Sequence, residues 1–166
     1  MVKMKSIKFT EEEIYDLIAT IPDPEIPVIT IKDLGILRSV KIENEKVIVS
    51  ITPTYSGCPA MMAIEKDIKS ILIQEGIETV EVKTVYSPVW TTDWLTDEAK
   101  EKLRKYGISP PGKTSIDKGD ILGVKIACPR CKSTNTEKIS QFGSTACKAL
   151  YKCKDCLEPF DHFKCH

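Results

Sequence analysis

Three stretches of the chain carry apolar residues at the three-to-four-residue spacing of an amphipathic helix. The first, residues 10–20, opens with a threonine followed by three glutamates, which is an N-terminal capping pattern. The second follows Pro59, a residue favoured in the first turn of a helix, and continues to Gly76. The third covers residues 96–106, and Gly107 after it suits a helix C-terminus.

Three other stretches alternate apolar and polar residues and are rich in β-branched side chains, as strands are. Residues 36–42 and 47–52 are separated by a short polar turn, which predicts a hairpin, and residues 79–85 predict a third strand. The resulting order is helix, hairpin, helix, strand, helix. It predicts a small α+β domain with helices on one face of a mixed sheet.

Residues 21–35 contain three prolines, which hold the residues before them extended and exclude a helix. This predicts a stiff loop that presents two carboxylates, those of Asp23 and Glu25. They are candidates for ligands of a metal site, or they are part of a solvated turn.

Residues 108–120 are rich in proline, glycine and serine and show no periodicity, which predicts a linker. We therefore expect a first domain over residues 1–107, a linker over 108–122 and a second domain over 123–166. The stretch 107–114 matches the G-x-x-x-x-G-K-[ST] phosphate loop. It follows a helix instead of a strand, and two prolines remove amide donors, so we expect no nucleotide to bind in that manner.

The 166 residues contain 24 basic and 24 acidic side chains, and the net charge of zero gives no general reason to expect a nucleic acid as partner. Residues 125–166 alone carry eight basic and four acidic side chains, which keeps a nucleic-acid adaptor open as an alternative. No apolar run is long enough to span a membrane and the N-terminus has no signal-peptide core, so a cytoplasmic protein is expected.

Six of the seven cysteines lie between residues 128 and 165. Four of them form two C-x-x-C pairs separated by 21 residues, a spacing typical of a structural zinc ribbon: Cys128, Cys131, Cys153 and Cys156. An iron–sulfur cluster and disulfides are the alternatives. Four nearby residues are further candidate ligands: Cys147, His162, Cys165 and His166. The simpler interpretation is that Cys147 packs on a strand and that residues 163–166 form a loose end.

Cys58 lies about 70 residues before the other cysteines and immediately precedes Pro59 at a predicted helix start. Helix N-termini lower the pKa of a thiol because unpaired amides and the helix dipole favour the thiolate. The position suits a reactive or metal-binding thiol, and the alternative is a small buried cap residue.

Trp90 and Trp94 lie four residues apart, just after the last strand predicted in the first domain. Core packing is the default interpretation for two tryptophans, but their place in a loop next to Tyr86 also suits a partner surface. The prediction is that Trp90 and Trp94 form part of a partner surface.

Several segments together resemble a known family. They are DPEIPVITIKDLGIL (23–37), TYSGCP (54–59), SPVWTTDW (87–94), KYGISPPG (105–112) and the cysteine-rich tail. These segments resemble the PaaD (PaaJ) family of subunits of phenylacetyl-CoA epoxidase systems. The first part is similar to the broader SufT-like family of metal–sulfur cluster assembly domains, marked by Asp23-Pro24-Glu25, Asp33-Leu34-Gly35 and Cys58-Pro59.

The resemblance implies an accessory protein that assembles or inserts an iron–sulfur cluster into a client, such as the reductase component of a multicomponent oxygenase. It assigns the handling of a transient cluster to Cys58, with Asp23 and Glu25 as acidic candidates, and structural zinc to the four ribbon cysteines. The alternative is a structural subunit that stabilises the oxygenase complex without handling metal.

The residues themselves agree with an accessory role, because the sequence holds no Ser-His-Asp set and only two histidines, both in the tail. One cysteine cannot supply the four ligands that a cluster takes. A homodimer or a client would therefore have to complete the shell.

Overall fold

The computed structural model describes residues 7–112 and 125–164 and divides the chain into two compact units. The first unit combines Met1–Pro53 with Gly57–Val89, and the second combines Thr54–Ser56 with Trp90–His166. None of the helices in the described ranges is both long and apolar enough to cross a membrane.

The first unit contains two helices and a three-stranded sheet, in the chain order α1 (Glu11–Ala19), β1 (Leu37–Glu43), β2 (Lys46–Ile51), α2 (Ala60–Gln74) and β3 (Val80–Thr84). Strand β2 is central, antiparallel to β1 and parallel to β3. Helix α1 packs on β1, α2 packs on β3, and the two helices contact each other. The mixed sheet predicted from the sequence is confirmed.

Local signals explain where these elements begin and turn. Helix α1 starts with a complete capping box, in which Thr10 and Glu13 exchange side-chain and backbone hydrogen bonds. The hairpin between β1 and β2 turns at Asn44 and Glu45, both left-handed with φ of 51° and 61°, as a two-residue turn of matching twist requires.

The core of the first unit lies between the helices and one face of the sheet. Along β2 every second residue is buried, namely Val47, Val49 and Ile51. Helix α2 buries residues four apart on one face, including Ile64, Ile68 and Leu72. The observed burial follows the two periods that the sequence shows, so pattern and packing agree.

The second unit contains α3 (Asp97–Tyr106) and a four-stranded sheet built from β4 (Ile108–Ser109), β5 (Thr136–Ser140), β6 (Lys148–Cys153) and β7 (Pro159–Phe163). The strand order is β4-β7-β6-β5, parallel between β4 and β7 and antiparallel elsewhere. Thr96 caps α3 by accepting a hydrogen bond from the Ala99 N–H at 3.0 Å, and Gly107 ends the helix with φ of 94°.

The packing corrects the predicted domain boundary at residue 107, because residues 90–107 group with the second unit. Ile108 and Ser109, expected in the linker, form β4 and pair with Asp161 and His162 of β7. The remainder of the predicted linker after Gly112 lies outside the described residues. Phe163, expected in a loose end, is instead a buried residue of β7.

Candidate metal centre and thiol site

The two C-x-x-C pairs converge on one point of the second unit. The Sγ atoms of all four cysteines lie within 4.8 Å of one another, with Cys128 and Cys156 at 3.7 Å and Cys131 and Cys153 at 3.5 Å. Disulfide bonds measure about 2.05 Å between sulfurs, so these pairs are not disulfides. The structure therefore brings together the four residues that the spacing predicts.

The two knuckles are turns with residues in left-handed conformations. In the first, the Lys132 N–H donates to the Cys128 carbonyl at 2.9 Å, and Lys132 has φ of 65°. In the second, the Cys153 N–H donates to the Glu158 carbonyl at 2.9 Å, and Leu157 has φ of 63°. Each turn directs two thiols towards the same point.

Polar side chains cross-link the two knuckles on the exposed side. The Asp155 carboxylate accepts hydrogen bonds from the Ser133 hydroxyl and, at 2.7 Å, from the Asn135 amide. Arg130 pairs with Glu158 at 2.6 Å. Sequence analysis missed these links. The one signal for them in the sequence is that these polar residues lie within or beside the C-x-x-C pairs.

An apolar cluster packs against two of the four ribbon cysteines. Cys128 and Cys153 are almost fully buried and form a core with Phe160, against which Ile126 and Tyr151 pack. Cys131 and Cys156 are exposed. The site is thus fixed to the sheet on one side and open to solvent on the other.

The thiols perturb one another. The Ser133 N–H lowers the pKa of Cys131, but removal from water and hydrogen bonds with the neighbouring thiols raise it to about 12. The Cys156 N–H, opposed by burial and aided by the Asp155 N–H, lowers the pKa of Cys153 to about 7. Four thiolates this close repel one another, so full ionisation requires a bound cation.

The geometry fits zinc. Zinc bonded to four sulfurs at about 2.3 Å places those sulfurs about 3.8 Å apart at the corners of a tetrahedron. The two Sγ···Sγ separations given above, 3.7 Å and 3.5 Å, are close to that edge. Four thiolate ligands leave no coordination position for a substrate, which is the arrangement of a structural site.

The other candidate ligands of the tail do not join this group within the described ranges. Cys147 is buried immediately before β6, with its Sγ 3.0 Å from the Thr145 hydroxyl. His162 is buried on β7, where its Nδ1 has no hydrogen-bond partner among the described residues. Cys165 and His166 lie outside those residues.

Trp90 is a core residue of the second unit. It is 4% exposed and meets Phe163 edge-to-face, with ring centroids 6.1 Å apart. The prediction of a partner surface is wrong for Trp90, because the tryptophan contacts a strand more than 70 residues later in the chain. Trp94 is half-buried in a single 3-10 turn, and its role on a partner surface stays a prediction.

Cys58 lies in the first unit at the start of α2. It is half-buried, and Gly57 before it has the left-handed φ of 79°. Helix α2 has no side-chain hydrogen bond at its N-cap and no acidic residue in its first turn. A negatively charged sulfur or ligand at this position therefore faces the positive end of the helix dipole without competition from a carboxylate in that turn.

Asp23 organises the proline-containing loop. Its carboxylate is 5% exposed, and Oδ1 accepts hydrogen bonds from the Glu25 N–H at 2.9 Å and the Ile26 N–H at 2.8 Å. Glu25 is half-buried in the turn. Asp23 thus acts as a structural acceptor in this loop, and ligand roles for Asp23 and Glu25 remain predictions.

Comparison with known families divides the chain in a similar way. Residues 11–85 match the model of the iron–sulfur cluster assembly protein family, and residues 115–164 match the PaaD zinc β-ribbon domain. Apart from residues 54–56, which group with the second unit, the first match lies in the first unit, and it includes Cys58. The second includes all four ribbon cysteines.

Individual relatives resemble either the whole chain or its first part. A protein of Escherichia coli K12, named as a putative 1,2-phenylacetyl-CoA epoxidase subunit, is 51% identical over 153 residues, 92% of each chain. An Fe–S protein maturation auxiliary factor of Porphyromonas gingivalis is 33% identical over 96 residues, which cover 57% of this chain and 90% of that protein.

Among solved structures, a domain of unknown function, DUF59, from Bacillus anthracis superposes with a TM-score of 0.51 at 29% identity. The match covers 56% of this chain and 90% of that one. The similarity to the E. coli protein extends through both units, whereas the similarity to the Bacillus anthracis structure covers about half of the chain. The chain therefore belongs to the PaaD family, in which an iron–sulfur cluster assembly domain is joined to a zinc β-ribbon.

Proposed function

We propose that this protein is a non-catalytic accessory protein that assembles or inserts an iron–sulfur cluster into a client of a phenylacetyl-CoA oxygenase system. The client class that best suits the proposal is the iron–sulfur reductase component, because such a component needs a cluster to pass electrons. Support comes from relatives named as an epoxidase subunit and as Fe–S maturation factors.

The observation that carries the proposal is the position of Cys58. It is half-buried at the start of α2, inside the part of the chain that matches the assembly family. An accessible thiolate at a helix N-terminus is the type of ligand that a cluster or an incoming iron ion binds.

The ribbon cysteines have a different role in this proposal. We assign them one resident zinc ion, because their four sulfurs lie within 4.8 Å of one another and two of the four cysteines are buried. A filled shell that forms part of the fold holds its metal and does not pass it on. The transient cluster is therefore cargo of the first unit, and zinc is a resident part of the second.

A single cysteine leaves most of a four-ligand cluster shell unfilled. We propose that the remaining ligands come from a second copy of this chain or from the client, so that loading and release involve a shared cluster. Asp23 and Glu25 are the acidic side chains proposed to assist, although Asp23 already holds two loop amides.

The test measures zinc, iron and acid-labile sulfide per chain after purification and reconstitution without oxygen. The wild type should hold about one zinc per chain together with iron and sulfide, and Cys58→Ala should keep the zinc and lose the iron and sulfide. Cys147→Ala is the matched control, because it removes a buried thiol that lies outside the ribbon set. This variant should keep both the zinc and the iron and sulfide.

The same proteins are then incubated with the reductase component stripped of its cluster. Recovery of electron transfer with the wild type and none with Cys58→Ala would support insertion. If Cys58→Ala binds iron and restores the reductase as the wild type does, the proposal fails. The structural-subunit alternative then gains, since it predicts that Cys58→Ala has no effect while the oxygenase complex still needs the protein.

A further inference from the structure

The second unit contains a cleft of about 300 Å³ beside the first cysteine knuckle. It is lined by α3, by the residues that follow β4 and by the chain on either side of Cys128. This volume is at the lower end of the range for small-molecule sites. Among the residues that the structure describes, the lining includes four basic side chains and no acidic one: Lys100, Arg104, Lys125 and Lys132.

Helix α3 directs two of these cations to the cleft. Lys100 and Arg104 are four residues apart and therefore share one face of the helix. Among the described residues Lys100 has no ion pair with a carboxylate. Arg104 pairs with Glu101, but both side chains are more than 40% exposed. An ion pair so exposed contributes little to stability, so Arg104 can exchange Glu101 for an anion of higher charge.

The knuckle provides the other two cations. Lys132 follows Cys131 directly, and its backbone is fixed by the hydrogen bond to the Cys128 carbonyl. Lys125 lies three residues before Cys128. Neither forms an ion pair with a carboxylate in the part of the chain that the structure describes. Since the whole chain has no net charge, this concentration of positive charge is local.

The remaining lining of the cleft is largely apolar and consists of Ser109, Pro110, Pro111, Gly112, Ile126, Ala127, Cys128 and Pro129. Two consecutive prolines offer no amide donors, so an anion here would be held mainly by the side-chain cations. The apolar side chains suit a flat carbon-rich group next to the anion. The cleft thus offers both charge and apolar contact, within the space of a small organic molecule.

From these features we infer that the cleft beside the first knuckle binds an organic phosphate, meaning phosphate groups attached to an apolar body of nucleotide size. Phosphates are favoured because a terminal phosphate carries nearly two negative charges and three acceptor oxygens, against one charge and two oxygens for a carboxylate, and both guanidinium and ammonium groups bind it well. This inference is independent of Cys58 and of cluster handling. It gives the second unit a ligand in addition to its structural metal.

The experiment is calorimetric titration of the full zinc-loaded chain with ADP, coenzyme A, adenosine and inorganic phosphate, at low and high salt. ADP and coenzyme A should bind saturably and more weakly at high salt, because exposed charges are screened. Adenosine, which lacks phosphate, should not bind, and inorganic phosphate should bind more weakly because it lacks the apolar body.

Variants locate the site. Lys100→Gln combined with Lys125→Gln should weaken ADP binding by about tenfold or more, since each neutralisation removes a charge-assisted contact. Lys105→Gln is the control for the substitution on α3: it removes one positive charge from the same helix outside the cleft lining, half the charge change of the double variant, and it should leave the affinity unchanged. Glutamine keeps the helix propensity of lysine, and an equal zinc content shows that the ribbon is intact.

Three results would overturn the inference. The first is the absence of saturable ADP and coenzyme A binding at low salt. The second is an equal loss of affinity in the Lys105→Gln control, which would indicate general charge attraction. The third is competition by a glutamate-rich peptide as effective as that of ADP, which would assign the cleft to an acidic segment of a protein partner.

Discussion

The two cysteine sites of this chain differ in how many ligands the fold supplies. In the ribbon, two knuckles from distant parts of the sequence place four sulfurs within 4.8 Å of one another, and Asp155 and Arg130 help to hold the knuckles together. At the start of α2, the first unit offers Cys58 as its one cysteine. The first set suffices for a tetrahedral metal site, whereas the cluster proposed at Cys58 would need ligands from another molecule.

The difference shows that cysteine content alone does not indicate where metal chemistry happens. The four ribbon cysteines lie in a small unit that has a limited apolar core, so a zinc ion bound there would supply part of its folding free energy. Cys58 lies instead in a unit with a well-formed apolar core of its own. Substitutions at three positions test how the two units differ.

The largest effect is expected from Cys153→Ser, which removes a buried ligand from the ribbon. Structural zinc contributes about 10–16 kcal/mol to the folding of small zinc domains, so the second unit should lose both its metal and its cooperative unfolding transition. Zinc analysis and thermal unfolding followed by circular dichroism measure this. The first unit should keep its own transition, and a variant that retains zinc and both transitions would contradict the prediction.

A smaller effect is expected at His162, which lies in the second unit but outside the four-sulfur group. Burial, opposed by a hydrogen bond with the Ser109 backbone and aided by Lys138 and Lys164, lowers the pKa of His162 to about 4. The folded state therefore favours the neutral imidazole. The contribution of the neutral imidazole to the free energy of unfolding is complete above pH 6.5. As the pH falls towards 4, about 3 kcal/mol of this free energy is lost.

Two measurements check this. The imidazole of His162 should titrate near pH 4 by NMR, well below the ordinary value for histidine. Urea unfolding of His162→Phe should depend less steeply on pH between 6.5 and 4 than that of the wild type, while loss of zinc in acid affects both proteins equally. Equal pH dependence in the two proteins would contradict the assignment.

The smallest effect is expected at Asp23, where two substitutions distinguish the structural role of the carboxylate from the role of its charge. Asp23→Ala leaves two loop amides, those of Glu25 and Ile26, without their acceptor and should lower the free energy of unfolding by about 2 kcal/mol. Asp23→Asn keeps an acceptor oxygen and should recover most of that loss in denaturant titrations. If iron binding also recovers in Asp23→Asn, Asp23 acts through the loop; if it stays low, the negative charge itself is needed.

Much of the fold was predictable because its signals are local. The capping box at Thr10, the glycine after α3 and the alternation along β2 each lie within a few residues of the element they define. The ribbon cysteines were predictable for a similar reason, since the two cysteines of each C-x-x-C pair lie three positions apart and are typical of a zinc knuckle. Such features need no knowledge of distant contacts.

The features that sequence analysis missed depend on contacts across long separations. Ile108 and Ser109 form a strand of two residues, too short to show any alternation, and they pair with residues more than 50 positions later. Trp90 is covered by Phe163, and nothing near either residue in sequence indicates the contact. The domain boundary was misplaced because both of these contacts join the segment after β3 to the tail.

Strand β4 has a consequence for how such a protein can be divided or recombined. The two family matches leave residues 86–114 between them, yet this interval encodes α3 and an edge of the ribbon sheet. A fragment beginning at residue 115 would carry every zinc ligand but leave β7 with an open edge, and such edges pair with other chains. A module that can be exchanged as a whole would have to begin near Trp90, well before the first cysteine of the ribbon.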